Sequence, residues 1–542
     1  MLTWMRKYFP LDWLTLTFLI TLALGATVRL VGINYDLPLI THPDEPRMVD
    51  SVIDMIERRS FEPREFTWPA HVVMMVGYII SVFYSYLVLG LQPEAAINLV
   101  GDEHWYLATR IGVAIFGIIG IVLAYFIGAK LKREIGVVAA VFVAFFPFFV
   151  HHSHLATADI PLAVTVMAVV LAAMNYLEKP GYAPLLAMSF FTAFAIAIKY
   201  PGLIAAGMIA IVVAIRAITD KDLRRFVSHG FASLFALGVS LFVISPVLFT
   251  RRGQVLRRLD NESRDTHLGA DGKNFWEKLE FYWSVYYGSS GWLLIVPLII
   301  GIVAIIRFWL VLAVPILIGV LFWVSLSTLG LHHTRWGMPM FITPLLVSAV
   351  GVYFLFDAVS KKLERFKKPV TAGLVAMSVV ATANMITSSV VTAADFLRLD
   401  TRAIATEDFE RREITEGNSV YEGYTVHYPN GPFRVFHHFA EIDGQLIPVD
   451  DSFDYVVISS SMHGRYMADS RYVDQQRFYR ILEDTYPLVV QYRAVGRSGS
   501  VTNPLTNVPI SIAHIRDIYT GASTKGPTIK VFAVPDQVRQ SR

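Results

Sequence analysis

The sequence predicts a mainly α-helical, polytopic membrane protein with an α/β domain at its C-terminal end. Of the 542 residues, 54% are hydrophobic and only 17% are charged, whereas soluble domains contain about 25% charged residues. The mean hydropathy is +0.49, and apolar runs of roughly 20 residues, the length of a membrane-spanning helix, recur up to about residue 390. From about residue 393, the stretches 453–459, 488–492 and 528–534 indicate short strands and 473–482 indicates a helix. Gly, Pro and Asn punctuate the rest, as in a folded domain.

Charge and cysteine content exclude several classes of function. The formal net charge is +3 and the isoelectric point is about 8.8, so the composition gives no support for nucleic-acid binding. The chain contains no cysteine, which excludes disulfide bonds, thiolate zinc sites, iron–sulfur clusters and a cysteine nucleophile. A membrane enzyme, a transporter or a membrane scaffold remains.

Eleven apolar stretches are about long enough to cross a hydrocarbon core of roughly 30 Å. They lie at 12–33, 106–128, 134–150, 159–177, 183–199, 201–217, 229–249, 291–307, 309–327, 336–357 and 370–391. The first is too long for a cleavable signal peptide and has no small-residue cleavage site after it. We therefore expect it to remain as a span.

A further apolar segment, residues 69–91, decides the predicted topology. If it stays at the outer surface, the chain begins inside and the short loops rich in Lys and Arg face the cytoplasm, as the positive-inside rule requires. If it crosses the membrane, all of these loops face outward. We therefore predict the first alternative, with a membrane module at 1–392, long outer loops at 34–105 and 250–290, and an extracytoplasmic α/β domain at 393–542.

The most informative motif, Thr41-His42-Pro43-Asp44-Glu45-Pro46-Arg47, follows the first span. Apolar residues then recur at helical spacing beside a charged face, which indicates an amphipathic helix in the membrane interface. Asp44 and Glu45 are therefore expected just outside the membrane at the start of this helix. A carboxylate there can take the proton from an acceptor hydroxyl that attacks an anomeric carbon. Alternatively, Asp44 only caps the helix, with Pro46 near its first position.

Further motifs follow in a characteristic order. They are Trp68-Pro69-Ala70-His71, His151-His152-Ser153-His154-Leu155-Ala156-Thr157-Ala158-Asp159, Lys199-Tyr200-Pro201-Gly202 and Arg335-Trp336-Gly337-Met338-Pro339. In order and placement, these motifs resemble those of the GT-C glycosyltransferases, specifically the family of protein O-mannosyltransferases and lipid A aminoarabinose transferases. The resemblance covers roughly the first 360 residues. It departs from the family pattern at Pro69-Ala70, where relatives commonly have two prolines.

The resemblance implies a GT-C-like fold with interfacial helices and a transferase that uses a polyprenyl-phosphate-linked sugar. It implies transfer to an acceptor hydroxyl with inversion at the extracytoplasmic face of the plasma membrane, with no cofactor required. The sugar and the acceptor (protein, lipid or glycan) stay open. Asp44 would be the catalytic base and Glu45 an orienting group. Candidates for donor binding are Arg251, Arg252, Lys199, Arg335 and Asp159, and candidates for the acceptor or pocket are His42, Trp68, His154 and His333.

Several of these assignments have a simpler alternative. Arg251 and Arg252 emerge directly from a span and could hold a phosphate with their planar guanidinium groups, or contact anionic lipid headgroups. Lys199 could contact a phosphate or carboxylate, or extend to the interface. Asp159 could line the donor pocket or cap its helix. The histidines near Asp159 permit a divalent metal, but their spacing matches no strict zinc motif.

A polytopic transporter or lipid flippase is the main alternative function. Such proteins carry polar residues near the membrane midplane, often between repeated halves. In this chain the distinctive polar motifs cluster at the predicted outer surface, and no repeat is evident. The enzyme prediction is therefore preferred over the transporter and over a non-catalytic scaffold.

Overall fold

The computed structural model describes residues 12–63, 70–262, 272–361, 369–426, 434–449, 453–496, 504–536 and 538. The chain divides into two compact units. The first, here called the membrane unit, comprises Met1–Ile33, Asp44–Ala393 and Gly499–Ser511. The second, here called the C-terminal unit, comprises Asn34–Pro43, Ala394–Ser498 and Ile512–Arg542. A short segment that follows the first helix thus belongs to the C-terminal unit.

Helices dominate the chain up to residue 395. In chain order they are α1 (Trp13–Leu30), α2 (Glu45–Glu57), α3 (His71–Tyr84), α4 (Pro93–Leu99), α5 (Glu103–Ala129), α6 (Arg133–Ala144), α7 (Pro147–Ser153), α8 (Asp159–Glu178), α9 (Tyr182–Ile198), α10 (Ile204–Asp220), α11 (Leu223–Ile244), α12 (Val247–Thr250), α13 (Arg252–Glu262), α14 (Phe275–Ser290), α15 (Ile295–Ala304), α16 (Trp309–Ser327), α17 (Met338–Lys361) and α18 (Pro369–Asp395). A π-helical turn, Ser85–Leu89, extends α3, and 3₁₀ turns at Tyr200–Leu203, Trp292–Leu294, Ile305–Phe308 and Thr334–Gly337 adjoin other helices.

Among the described residues, eight helical segments are long and apolar enough to cross a membrane, or up to ten if each of two bent pairs counts as one span. The chain is therefore a multi-pass membrane protein, as predicted. The count differs from the eleven predicted spans because the stretch 134–150 breaks between α6 and α7, with a bend of 58°. The stretch at 291–307 follows a bend of 103° after α14. The predicted span at 183–199 forms the shorter apolar helix Tyr182–Ile198, and the one at 309–327 corresponds to α16.

Residues 71–89 also form a helical segment that is long and apolar enough to cross a membrane. Its length and composition are compatible with both topological alternatives. The predicted outer position of this segment therefore still depends on the distribution of basic loops.

The break between α6 and α7 has an identifiable cause and an identifiable partner. Pro147 has no N–H to donate to the Val143 carbonyl, and it disfavours the helical conformation at the preceding residue. Arg29 of α1, fully buried, donates instead to the carbonyls of Val143 and Ala144, each at 2.8 Å. The guanidinium therefore provides hydrogen bonds to the last backbone carbonyls of α6, inside the membrane unit.

The later elements have the predicted α/β character. They are β1 (Leu399–Asp400), α19 (Thr401–Arg411), β2 (Ser419–Tyr421), β3 (Phe439–Ile442), β4 (Gln445–Pro448), β5 (Tyr455–Ser459), α20 (Ser460–Met467), α21 (Val473–Thr485), β6 (Leu488–Tyr492), α22 (Pro504–Tyr519), β7 (Thr524–Lys525) and β8 (Ile529–Ala533). The strands predicted at 453–459, 488–492 and 528–534 correspond to β5, β6 and β8, and the helix predicted at 473–482 corresponds to α21.

The main sheet of the C-terminal unit has the strand order β2-β5-β8-β6. Strands β2 and β5 run parallel, whereas β8 is antiparallel to both of its neighbours. The core includes Phe409 from α19 and Val457, Ile529 and Val531 from the sheet, all buried. Separate from this sheet, β3 and β4 form a hairpin, while β1 pairs in parallel with β7.

Candidate active site

Asp44 lies at the N-terminal end of the amphipathic helix α2, as its motif predicts. Its backbone has φ −94° and ψ −16°, and its side chain makes no capping hydrogen bond. A capping residue usually has an extended backbone, from which its side chain can reach the first N–H groups. The Asp44 carboxylate instead contacts Nη1 of Arg335. The sequence-based capping alternative therefore does not describe this side chain.

Arg335 connects two carboxylates that are far apart in the sequence. It lies in the 3₁₀ turn Thr334–Gly337, directly before α17. While Nη1 contacts Asp44, its Nε lies 3.7 Å from Oδ2 of Asp159. The Asp44 and Arg335 side chains are 20% and 21% exposed, so both are accessible, whereas that of Asp159 is only 3% exposed.

Lys199 provides a second cation beside Asp159. Asp159 is the first residue of α8, and its Oδ1 lies 2.6 Å from Nζ of Lys199. Lys199 has an extended backbone between α9 and the next 3₁₀ turn, and its Nζ lies 5.7 Å from the centre of the Trp336 ring. A buried carboxylate is expensive unless cations compensate it. Lys199 and Arg335 provide that compensation.

The turn that carries Lys199 requires a glycine. A Cβ atom on Gly202 would lie 2.3 Å from the backbone carbonyl of Ala195. The close approach of these two backbone segments explains the Lys-Tyr-Pro-Gly sequence and fixes Lys199 relative to the end of α9.

Glu45, the neighbour of Asp44, has a different environment. Its side chain is fully buried and accepts hydrogen bonds from Nε and Nη2 of Arg110, at 2.9 and 2.7 Å. Oε1 also accepts the backbone N–H of Ala156 at 2.8 Å. Glu45 thus connects α2 with α5 and with the loop before α8. This arrangement suits an orienting role and gives Glu45 no access to an acceptor.

The predicted phosphate-binding arginines lie in a region of high exposure. Arg251 follows α12 and is 46% exposed, and its Nη2 lies 3.3 Å from Oε1 of Glu62. Arg252 begins α13 and is also exposed. Their assignment to the donor phosphate stays a prediction.

The predicted pocket residues fall in different environments. His154 is fully buried, with Nδ1 and Nε2 each 2.9 Å from a backbone carbonyl oxygen, those of Val150 and Val31. His333 is half-buried, with its ring 5.0 Å from that of Trp336 next to the site. His42 belongs to the C-terminal unit. Trp68 lies outside the described residues.

Arg110 is not among the residues that the motifs indicate, although its position in the sequence is informative. It is a single charged residue inside the apolar stretch 106–128, and a charge within a span usually has a buried partner or a function. Its partner, Glu45, lies 65 positions away. In the part of the chain that the structure describes, no group of three or more His, Asp or Glu side chains could hold a metal ion.

Comparison with known proteins finds a family model that matches part of the chain. The family model described as dolichyl-phosphate-mannose-protein mannosyltransferase matches residues 94–249. This range includes Arg110, Asp159 and Lys199. A comparison with curated protein sequences finds no match. The family match supports the resemblance to the GT-C glycosyltransferases that the motifs indicate.

Several solved structures are similar to this chain at low identity. ArnT from Cupriavidus metallidurans in the apo state has 11% identity and a TM-score of 0.49, over 96% of this chain and 97% of that chain. ArnT from the same organism bound to undecaprenyl phosphate has 13% identity and a TM-score of 0.46, over 96% and 98%. The Archaeoglobus fulgidus oligosaccharyltransferase in complex with Zn and sulfate has 11% identity and a TM-score of 0.47, over 85% and 71%.

Proposed function

We propose that this protein is a membrane glycosyltransferase that moves a sugar from a polyprenyl-phosphate-linked donor to an acceptor hydroxyl at the extracytoplasmic membrane face. The observation that carries the proposal is the accessible Asp44 carboxylate, which contacts Arg335. Arg335 and Lys199 both contact the buried Asp159. The family model, whose description names a dolichyl-phosphate-linked mannose, supports this class of donor.

In the proposed reaction, Asp44 is the general base. It takes the proton of the acceptor hydroxyl while the acceptor oxygen forms a bond to the anomeric carbon. The bond from that carbon to the phosphate oxygen breaks, and its electron pair stays with the polyprenyl phosphate. This single displacement inverts the configuration of the sugar. Because the Asp44 side chain makes no capping hydrogen bond, it can turn toward an acceptor without loss of a helix cap.

The two cations are suited to the leaving group. The phosphate gains one negative charge when the bond to the sugar breaks, so fixed positive groups stabilise the transition state more than the ground state. Arg335 and Lys199 are both partly exposed, at 21% and 19% of their side chains, and both contact the buried Asp159. We assign them to the donor phosphate, with Asp159 holding them in position.

Phosphate binding would also change the state of Asp44. Arg335 is shared between Asp44 and Asp159. A phosphate that draws Arg335 toward itself would weaken the contact with Asp44 and make this carboxylate a better proton acceptor. The donor would thereby prepare the base for the second substrate.

Single-turnover transfer by the detergent-purified protein tests the proposal. With a labelled polyprenyl-phosphate sugar and a panel of hydroxyl acceptors, Asp44→Asn should reduce the transfer rate by ~10²–10⁴-fold, the usual contribution of a general base. Donor binding, measured separately, should persist. Asp54→Asn is the matched control, because Asp54 lies on the same helix but pairs with Arg58.

The opposite outcomes are equally specific. Near wild-type transfer by Asp44→Asn would remove this residue as the base. Movement of the lipid-linked sugar between leaflets of a reconstituted vesicle, with no transfer to any acceptor, would favour the flippase alternative.

A further inference from the structure

The segment Asn34–Pro43 is structurally part of the C-terminal unit, although it directly precedes Asp44 in the sequence. It connects the end of α1 to the start of α2. Two basic residues from distant parts of the C-terminal unit, Arg402 and Lys525, contact it near its two ends.

Lys525 of β7 holds the first part of the segment. Its Nζ lies 3.0 Å from Oδ1 of Asp36, whose side chain is only 4% exposed. The same ammonium lies 4.9 Å from the centre of the Tyr35 ring and 5.6 Å from that of Phe396. The two rings also contact each other, at 4.9 Å between centres. An ion pair and two cation–π contacts therefore converge on one lysine, whose side chain is only 18% exposed.

Arg402 of α19 holds the last part of the segment. Its Nη1 donates to the backbone carbonyl of Thr41 at 2.6 Å, while Nε and Nη2 bind both carboxylate oxygens of Asp400 at 2.8 Å. The bidentate contact fixes the guanidinium, so its third donor has a defined direction. Asp400 itself is buried and caps α19.

The two contacts are joined within the segment. The Thr41 hydroxyl donates to Oδ2 of Asp36 at 2.7 Å, while Oδ1 of the same carboxylate faces Lys525. Asp36 has φ 57°, in the left-handed region that an L side chain rarely adopts. The contacts of its carboxylate hold the backbone in this conformation.

Thr41 is only three residues before Asp44, and three residues span at most about 11 Å. Fixing the conformation of the segment up to Thr41 therefore limits the backbone conformations open to Asp44. We propose that Arg402 and Lys525 are positioning residues for the transfer reaction, which act by holding the segment Asn34–Pro43 in one conformation directly before Asp44. The inference rests on the proposed function, because it takes Asp44 as the catalytic base.

A positioning role predicts a particular kinetic pattern. A misplacement of about 1 Å can lower a catalytic rate by about a hundredfold. The single-turnover rate at saturating donor should fall roughly ten- to a hundredfold in Arg402→Ala and in Lys525→Met. The dissociation constant for the donor should stay unchanged, because the proposed role concerns Asp44 and not the cations assigned to the phosphate. A purely structural role would instead lower the amount of folded protein, with the same rate per folded molecule.

Matched variants separate these outcomes. Lys525→Arg keeps the charge and should restore most of the rate. Lys530→Met removes a lysine from β8, the next strand along the chain, where it pairs with the partly exposed Glu483 at 2.6 Å. Arg412→Ala removes an arginine that follows α19 and pairs with Asp408 at 2.6 Å. Both controls should transfer at the wild-type rate.

A second measurement follows the segment itself. The chain has no cysteine, so Leu39→Cys gives a single position for a nitroxide label between the two contacts. The label should become more mobile in Lys525→Met and in Arg402→Ala, but not in Lys530→Met, provided that the labelled parent transfers sugar. Wild-type rates in both positioning variants, or unchanged label mobility, would overturn the inference while Asp44→Asn still abolishes transfer. A wild-type protein without transfer activity would overturn the proposed function and this inference together.

Discussion

Arg110 binds both carboxylate oxygens of Glu45, and neither side chain is exposed to solvent. This ion pair lies one residue from Asp44, whose carboxylate is accessible. The two adjacent acidic residues therefore differ in environment: the first faces the site, and the second fixes α2 to α5.

Loss of the buried pair should affect stability more than chemistry. Removing one partner of a buried ion pair leaves an uncompensated charge and typically costs about 3–5 kcal/mol. We expect Arg110→Met to lower the thermal stability of the purified protein strongly. Glu45→Gln, which keeps one acceptor, should reduce the transfer rate less than Asp44→Asn does. Equal losses of rate per folded molecule in the two acidic variants would assign Glu45 a direct role in the chemistry.

The shape of Arg335 should matter as well as its charge. A lysine has a single ammonium and cannot reproduce the planar guanidinium that reaches both Asp44 and Asp159. Arg335→Lys should therefore lower transfer roughly ten- to a hundredfold, which corresponds to about 1.5–3 kcal/mol for a charge-assisted contact. The exposed Arg307 provides the control, since Arg307→Lys should leave transfer unchanged. Full activity of Arg335→Lys would show that positive charge alone is sufficient.

Kinetic measurements can test the role of Arg251 and Arg252 separately from that of Arg335 and Lys199. If they contact the donor phosphate, Arg251→Ala or Arg252→Ala should weaken donor use more than acceptor use, by roughly ten- to a hundredfold. Initial rates at varied donor and acceptor concentrations provide the test. An unchanged Michaelis constant for the donor and an unchanged kcat in both variants would assign these arginines to lipid headgroups.

The pH dependence of the C-terminal unit should reflect Glu422. This carboxylate is almost fully buried, accepts the Ser459 N–H at 3.0 Å and contacts the Tyr479 hydroxyl. Burial raises its pKa from 4.5 to about 7. The folded state thus binds the proton more tightly than the unfolded chain. The resulting stability is complete below pH 4.5 and is lost as the pH rises through about 7.

When the pH rises from 5 to 8, the deprotonation of Glu422 should lower the free energy of unfolding of the C-terminal unit by about 2–3 kcal/mol. Urea unfolding of the full-length protein can be followed by a fluorophore on Val473→Cys, an exposed position. In Glu422→Gln the same pH change should have a smaller effect. Parallel pH profiles in the two proteins would contradict the assignment to Glu422.

The sequence predicts the helical, membrane-spanning character and the α/β region correctly because both depend on local patterns. Apolar runs identify spans, and the strands β5, β6 and β8 are short apolar stretches between turn residues. The predicted span at 134–150 contains the bend before Pro147, because an apolar run alone does not reveal a break in a helix. The proline carries that information, since it removes the N–H that the Val143 carbonyl needs.

The contacts of the site are less accessible to sequence reasoning. Asp44, Asp159, Lys199 and Arg335 were each selected by motif and resemblance, but their pairing depends on how helices pack. Lys199 lies 40 positions from Asp159, and Arg335 lies 291 positions from Asp44. The buried environment of Glu45 also could not be predicted, because the sequence does not show which span carries its partner, Arg110.

The discontinuous C-terminal unit determines how the chain can be divided into fragments. A fragment that begins at residue 394 lacks Tyr35, Asp36 and Thr41, so Lys525 loses the carboxylate of Asp36 and Arg402 loses the carbonyl of Thr41. A chain truncated at residue 393 leaves the buried Asp36 without its cation. Exchange of this unit with that of another protein would have to include residues 34–43 together with the C-terminal sequence, as a two-part graft.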